Sequence, residues 1–120
     1  MTVAQFRCEI CGDVAASLEL IPSEEQNAWK LTRQGFLLGK SVEVIKNRVV
    51  PAVHQALTDL NARKLYAIRA QWAPFFCPAC GKVYCIKHWQ ITPKFGRDFS
   101  GQYAGSDGVC PNGHRRQVDG

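Results

Sequence analysis

The sequence predicts a small α+β fold in two parts: a middle segment rich in helix, set between two ends rich in cysteine. Three observations carry that expectation. Four short Cys/His pairs lie near the two ends of the 120-residue chain. A run of apolar residues at helical spacing follows Pro51. Beyond Pro74, Gly, Pro and Cys punctuate the chain every few residues, so that segment cannot bury much apolar surface by itself. A chain of this length leaves little room for a second core, and 1–120 reads as a single domain.

Taken in order, Thr2–Phe6 suits a short strand that runs into Cys8-Glu9-Ile10-Cys11-Gly12-Asp13, whose closing Gly-Asp is a turn signal. Pro22–Asn27 reads as a polar loop. Trp29–Arg33 and Phe36–Leu38, separated by Gln34-Gly35, suit a hairpin. Val42–Val50 fits either period: Val42, Ile45 and Val49 suit a helix, Val42 and Val44 a strand. Pro51 then opens a helix carrying Val53, Ala56, Leu57 and Leu60, and Asn61 either ends it or caps a further turn through Leu65 and Ile68.

Composition narrows the class. Apolar residues at 46% and charged residues at 21% are ordinary for a globular chain and unlike a disordered one. The longest apolar runs, Val49–Val53 and Trp72–Cys77, fall far short of the about 20 residues of a membrane span. The N-terminus has neither a cationic start nor a long apolar stretch, so no secretory signal is expected and a reducing, cytoplasmic location is. The net charge of +5 is uneven: residues 1–60 hold six basic and seven acidic side chains, residues 61–120 nine and three.

The ligand-capable residues fall into Cys8-x2-Cys11, Cys77-x2-Cys80, Cys85-x2-His88 and Cys110-x3-His114. All six cysteines are used, with two of the three histidines. In a reducing compartment such pairs point to metal rather than to disulfides, and eight ligands supply two tetrahedral Zn²⁺ sites. Gly12 and Gly81, each directly after a pair, let backbone amides turn toward the thiolates. With every ligand drawn from protein, the two zinc ions are structural. Ionising six thiols against two zinc ions reduces the charge from +5 to about +3. His54 lies inside the helical pattern, away from every pair, and reads as a surface or core histidine.

Two pairings are open. Sequential sites would place Cys77, Cys80, Cys85 and His88 on one ion. The four-residue spacer Gly81–Tyr84 instead suits a short strand leaving one site and reaching the next. That interleaved arrangement assigns Cys8, Cys11, Cys85 and His88 to one ion, and Cys77, Cys80, Cys110 and His114 to the other.

The stretch Cys80-Gly81-Lys82-Val83-Tyr84-Cys85-Ile86-Lys87-His88 resembles the centre of cross-brace, treble-clef zinc fingers. FYVE domains carry Cys-Gly-x-x-aromatic-Cys-x2-Cys there, and AN-one-type fingers Cys-Gly-x-x-Phe-Cys-x2-His. RING fingers share the interleaved order, and Cys8-x-Ile10-Cys11 is similar to their first pair. Residues 72–118 also resemble small uncharacterised bacterial zinc proteins with Cys-Pro-x-Cys-Gly, Tyr-Cys-x2-His-Trp and Cys-Pro-x-Gly-His. The resemblance implies a cross-brace finger with halves 1–20 and 72–118. Within the 65 residues between the first and second pairs lies an insert, 21–71, with its helix near 41–71. The basic motif that FYVE domains place before their second pair is replaced by Ala73-Pro74-Phe75-Phe76, which argues against phosphoinositide binding.

No catalytic set stands out: the acidic residues are scattered, no Gly-rich phosphate loop is present and no Cys remains free beside a His. The expected role is a non-enzymatic binding module, with protein as its partner. Nucleic acid is the alternative, because Trp72, Phe75, Phe76, Tyr84, Trp89, Phe95, Phe99 and Tyr103 alternate with Lys82, Lys87, Lys94 and Arg97. The same aromatics suit a small core around the metal sites. A ubiquitin-ligase component is the third reading, carried by the RING likeness. Arg7, Lys87, Arg115 and Arg116, each adjacent to a ligand or to its neighbour, are expected to support the thiolates by charge.

Overall fold

Alternating burial builds the first sheet. In β1 (Thr2–Arg7), Ala4 and Phe6 turn inward, and β2 (Val14–Ser23) buries Ala16, Leu18 and Leu20 in the same rhythm. The computed structural model describes residues 1–25, 27–95 and 103–119. In it, β3 (Ala28–Gly35) and β4 (Leu38–Ile45) complete an antiparallel sheet of order β1-β2-β3-β4. Thr2 pairs with Leu20, Leu20 with Leu31 and Trp29 with Ile45.

The hairpin expected around Gln34-Gly35 is present, but its turn is one step later. Gln34 and Gly35 are still in β3, Gly35 pairs with Leu38, and Phe36-Leu37 makes the bend. Gly35 and Phe36 have φ of 95° and 60°, values that favour glycine. Phe36 tolerates the left-handed backbone because its ring packs edge-on against Phe75 and Trp89, with centroids 6.5 and 6.2 Å away. Val42–Val50 divides between its two periods: Val42 and Val44 lie exposed on β4, and a single 3-10 turn, Asn47–Val49, leads into the helices.

Helix α1 (Val50–Thr58) carries Pro51 in its first turn and buries Val53, Ala56 and Leu57, a spacing that faces them all to β1 and β2. Asn61 caps a second helix, α2 (Ala62–Ile68): its side-chain oxygen accepts the Lys64 amide at 3.0 Å. Residues 21–71, expected as a helical insert, therefore carry strands as well as helices. The end of β2, all of β3 and all of β4 lie inside that range, continuous with β1 through the β1–β2 hairpin. The chain as a whole is mostly sheet. The Leu18-Glu19-Leu20 alternation was the signal for β2.

The C-terminal part is built from short strands. A two-residue hairpin, β5 (Phe76–Cys77) with β6 (Lys82–Val83), precedes a 3-10 turn at Ile86–His88. A three-stranded antiparallel sheet follows, β7 (Gln90–Phe95), β8 (Tyr103–Val109) and β9 (Arg115–Asp119), in that order. Strands β7, β8 and β9 were not read from a segment dominated by Gly, Pro and Cys, whereas β6 falls in the Gly81–Tyr84 spacer that suited a short strand. This part also owns more apolar core than expected. Trp72, Phe75, Phe76, Tyr84 and Trp89 are buried and continuous with the core of the first sheet. Phe6 stacks on Phe75 at 5.1 Å, Tyr66 meets Phe76 at 5.6 Å and Tyr84 meets Trp89 at 6.2 Å.

Candidate metal centres

Each Cys/His pair sits in a turn that a neighbouring glycine or a 3-10 bend closes. Cys8–Gly12 links β1 to β2: the Gly12 amide donates to the Cys8 carbonyl at 2.9 Å, with φ of 76° at Gly12. Cys77–Gly81 links β5 to β6 in the same manner, the Gly81 amide donating to the Cys77 carbonyl at 2.8 Å with φ of 70°. Cys85 precedes the 3-10 turn and His88 ends it, and Cys110–His114 connects β8 to β9, closed by the Gly113 amide on the Cys110 carbonyl at 2.9 Å. The amides of Cys80 and His114 point at the Cys77 and Cys110 sulfurs, 3.4 Å each.

The fold brings the pairs together by alternation. Cys8, Cys11, Cys85 and His88 form one group, and Cys77, Cys80, Cys110 and His114 the other; within each, the potential ligand atoms all lie within 4.8 Å of one another. A β1–β2 turn and a 3-10 turn, 74 and 80 positions apart along the chain, thus meet. The Glu9 amide, donating to the Val83 carbonyl at 2.8 Å, ties the first turn to β6, just ahead of the 3-10 turn.

The distances test which chemistry the groups can hold. A tetrahedral zinc ion, with Zn–S of about 2.3 Å and Zn–N of about 2.0–2.1 Å, spaces its ligands about 3.8 Å apart for S–S and about 3.5 Å for S–N. Here Cys11 Sγ and Cys85 Sγ are 3.6 Å apart, and Cys80 Sγ and Cys110 Sγ 3.8 Å. His88 Nδ1 lies 3.4 and 3.2 Å from the Cys8 and Cys85 sulfurs. His114 Nδ1 lies 3.7, 3.2 and 3.4 Å from the sulfurs of Cys77, Cys80 and Cys110. A disulfide would need about 2.05 Å, and all six cysteines are free. The edges fit a Cys3His tetrahedron.

Electrostatics point the same way. Burial opposes ionisation of Cys8, yet backbone amides of Cys85, Cys11 and Ile10 turned on its sulfur bring it down to about 6. The Asp13 amide favours the Cys11 thiolate, but desolvation and the Cys85 and Cys8 sulfurs push that thiol up to about 11. In the second group the Tyr84 hydroxyl and the Asn112 amide draw Cys80 down to about 6. Desolvation, then the Cys80 and Cys110 sulfurs, push Cys77 up to about 11. Clustered thiols without a counter-cation resist ionising together; a dication would remove that restriction.

Sequence reasoning missed Asn112 and Tyr84 as supporting residues. Asn112 Nδ2 donates to Cys80 Sγ at 3.2 Å and to Tyr84 Oη at 3.4 Å. Its place in Pro111-Asn112-Gly113, inside a ligand pair, was the available signal. The neighbouring cations mostly act one step away from sulfur. Arg7 donates to the Gly12 carbonyl at 3.0 Å, and Arg115 lies 4.0 Å from Asp107. Lys87 pairs with Asp13 at 2.7 Å, and that carboxylate, then the Cys11 and Cys85 thiolates, raise its pKa. Arg116 clamps the approach to Cys77, donating to the Ala73 and Phe76 carbonyls at 2.8 and 2.7 Å. His54 is exposed, its Nδ1 2.7 Å from the Thr2 hydroxyl, apart from both groups.

Phe99 and Arg97 lie outside the described residues. Trp72, Phe75, Phe76, Tyr84 and Trp89 are core, so they offer no open stacking surface; Phe95 is exposed. Among the described residues, no helix is long and apolar enough to cross a membrane. Compared with known proteins, the sequence matches one family over residues 1–120, described as "Domain of unknown function (DUF8328)". No curated protein and no solved structure matches it.

Proposed function

The chain belongs to this family of unknown function, and we propose that it is a non-enzymatic, protein-binding module whose frame is set by two structural zinc ions. One observation carries the reading. In each group four protein atoms stand at the spacing of a tetrahedron's corners, so an ion held there has no position left for water or substrate. Cys8, Cys11, Cys85 and His88 would hold one ion; Cys77, Cys80, Cys110 and His114 would hold the other. Three thiolates and an imidazole suit zinc and disfavour hard cations such as Mg²⁺ or Ca²⁺.

In this reading the alternation of pairs makes a cross-brace, similar in order to RING, FYVE and AN-one-type fingers. Six free thiols suit a reducing, cytoplasmic compartment. Protein is favoured over nucleic acid as partner because the aromatics are largely core, while Lys87 and Lys94 face Asp13 and Asp107.

Elemental analysis of protein purified without chelator tests the frame: two zinc ions per chain are expected, and one or fewer overturns it. Fluorescence anisotropy with a labelled single-stranded oligonucleotide tests the partner class. No salt-sensitive binding is expected; binding that weakens steeply with salt would move the assignment to nucleic acid.

A further inference from the structure

The first sheet ends on two strands whose outer edges differ. β1 is bulged between Phe6 and Arg7 and lies against α1, where the Thr2 hydroxyl meets His54. In β4, residues 40–45 pair with residues 29–34 without a break, and the strand holds no proline. Among the described residues, 38–45 make no backbone hydrogen bond beyond their ladder with β3. A strand left in that state presents a row of unpaired amides and carbonyls to which an extended chain can add.

The side chains along this edge carry a pattern. Cross-strand partners share a face, so Val42 lies beside Thr32, and Val44 beside Lys30, on the outer side of the sheet. Val42 and Val44 are 56% and 52% exposed. Lys40 and Lys46 bracket them at the same two-residue period, both exposed, with Lys46 continuing the extended backbone at φ −70° and ψ 139°. Among the described residues, no ion pair or hydrogen bond engages the side chains of Lys30, Lys40 or Lys46. Glu43 points to the opposite face, where Arg69 and Trp72 take its two oxygens. Glu19 is the one carboxylate that β1–β4 place on the outer face, and it lies on β2, two strands from the edge.

We propose that the β4 edge binds an extended acidic segment of another protein, which adds a fifth strand to the sheet. Main-chain hydrogen bonds would supply the ladder, small apolar side chains would cover Val42 and Val44, and flanking carboxylates would meet Lys40, Lys46 and Lys30. A second copy of this chain is disfavoured, because pairing through β4 would set one lysine-bearing edge against another. The edge rests on the chain being a protein-binding module, and gives that module a surface and its partner a chemistry.

The test titrates the zinc-loaded full chain with the end-capped peptide Glu-Ser-Val-Thr-Val-Ser-Glu under two-dimensional NMR. Its carboxylates stand six positions apart, as Lys40 and Lys46 do. Saturable shifts should fall on residues 40–46, and alternate amides there should gain protection from hydrogen exchange. The same peptide with lysine at both ends should bind at least about tenfold more weakly, and N-methylation of its backbone amides should abolish binding. In the double variant Lys40→Glu, Lys46→Glu the preference should reverse, with the lysine-ended peptide binding about fivefold or more tightly than the acidic one. The proposal is overturned by shifts that map elsewhere, by equal binding of the two peptides, by a methylated peptide that binds normally, or by an unreversed preference in the double variant. It is equally overturned by no saturable shift up to about 5 mM, or by concentration-dependent shifts of the same amides without peptide, which would assign the edge to a second copy. With two zinc ions retained, each of these results removes the edge and leaves the metal frame standing.

Discussion

The first Cys3His group joins residues up to 80 positions apart, Cys8 and His88, whereas Cys77 and His114 of the second are 37 apart. Span alone separates them little, since each doubling of a closed loop costs only about 0.6 kcal/mol. What surrounds them differs more. The first group closes on elements that are already attached. β1 lies in a four-stranded sheet against α1, Phe6 stacks on Phe75, and the Glu9 amide bonds to the Val83 carbonyl. The second group gathers a hairpin of two-residue strands, too short to persist alone, onto the turn between β8 and β9. The same ligand set therefore does two jobs: it fastens a corner in one place and organises an arm in the other.

The sharpest test removes one ligand from each group. Cys110→Ser should leave one zinc per chain and strip amide protection from 76–95 and 103–119. Structural zinc supplies about 10–16 kcal/mol in small fingers, as much as the about 5–15 kcal/mol that holds a whole domain. Cys11→Ser should also leave one zinc, but lose protection chiefly around Cys8–Asp13 and Cys85–His88. Hydrogen exchange with metal analysis reads both. Equal collapse in the two variants would abolish the distinction. The sheet also implies that chelation frees the first turn rather than the whole N-terminus.

Packing in the organised arm can be weighed against its metal. A Cβ at Gly108 in β8 would lie 2.9 Å from Trp89 Cε3 and Val118 Cγ1, and 3.2 Å from Ile91 Cδ1. Gly108→Ala should cost about 1–3 kcal/mol in chemical unfolding with zinc content retained. A change near zero would mean that metal alone orders β7–β9.

Acidity should treat the two groups alike. Cys11 and Cys77, pushed up to about 11, hold their protons at neutral pH in metal-free protein, so each ion displaces at least one proton. The loaded state binds fewer protons, so affinity falls as pH falls, by at least about tenfold per pH unit for each ion. Below about 6, where Cys8 and Cys80 also take up protons, the slope should steepen. Competition with a chromophoric chelator across this range measures it. A slope in one group alone would break the symmetry.

Two milder substitutions sharpen the contrast in what supports each group. Asn112→Ala removes donors to Cys80 and Tyr84; it should weaken the second ion by about tenfold, the usual scale for an outer partner of a metal ligand, and leave the first unchanged. Lys87→Ala breaks an exposed pair with Asp13 and should change stability by less than about 1 kcal/mol. Calorimetric zinc titration reads the first and thermal unfolding the second.

Local chemistry made much of this protein legible in its sequence. Spacing of two or three residues places paired ligands in one turn whatever surrounds it, so the eight Cys and His positions could be read directly. Pro51 and Asn61 act through their own backbone and side chain, and the two helices were legible for that reason. Other features depend on residues far apart in the chain. Phe36 bends the hairpin because Phe75 and Trp89 hold its ring. Arg116, adjacent to Arg115, turns from the metal group to the Ala73 and Phe76 carbonyls because α2 and β5 pass beside it. The pairs share a group by alternation because the Cys85–His88 turn docks on the β1–β2 turn. Sequence spacing prescribes which atoms can meet within a few residues. Contacts closed over 37 or 80 positions rest on the summed packing of every element between them, and only the tertiary structure decided those.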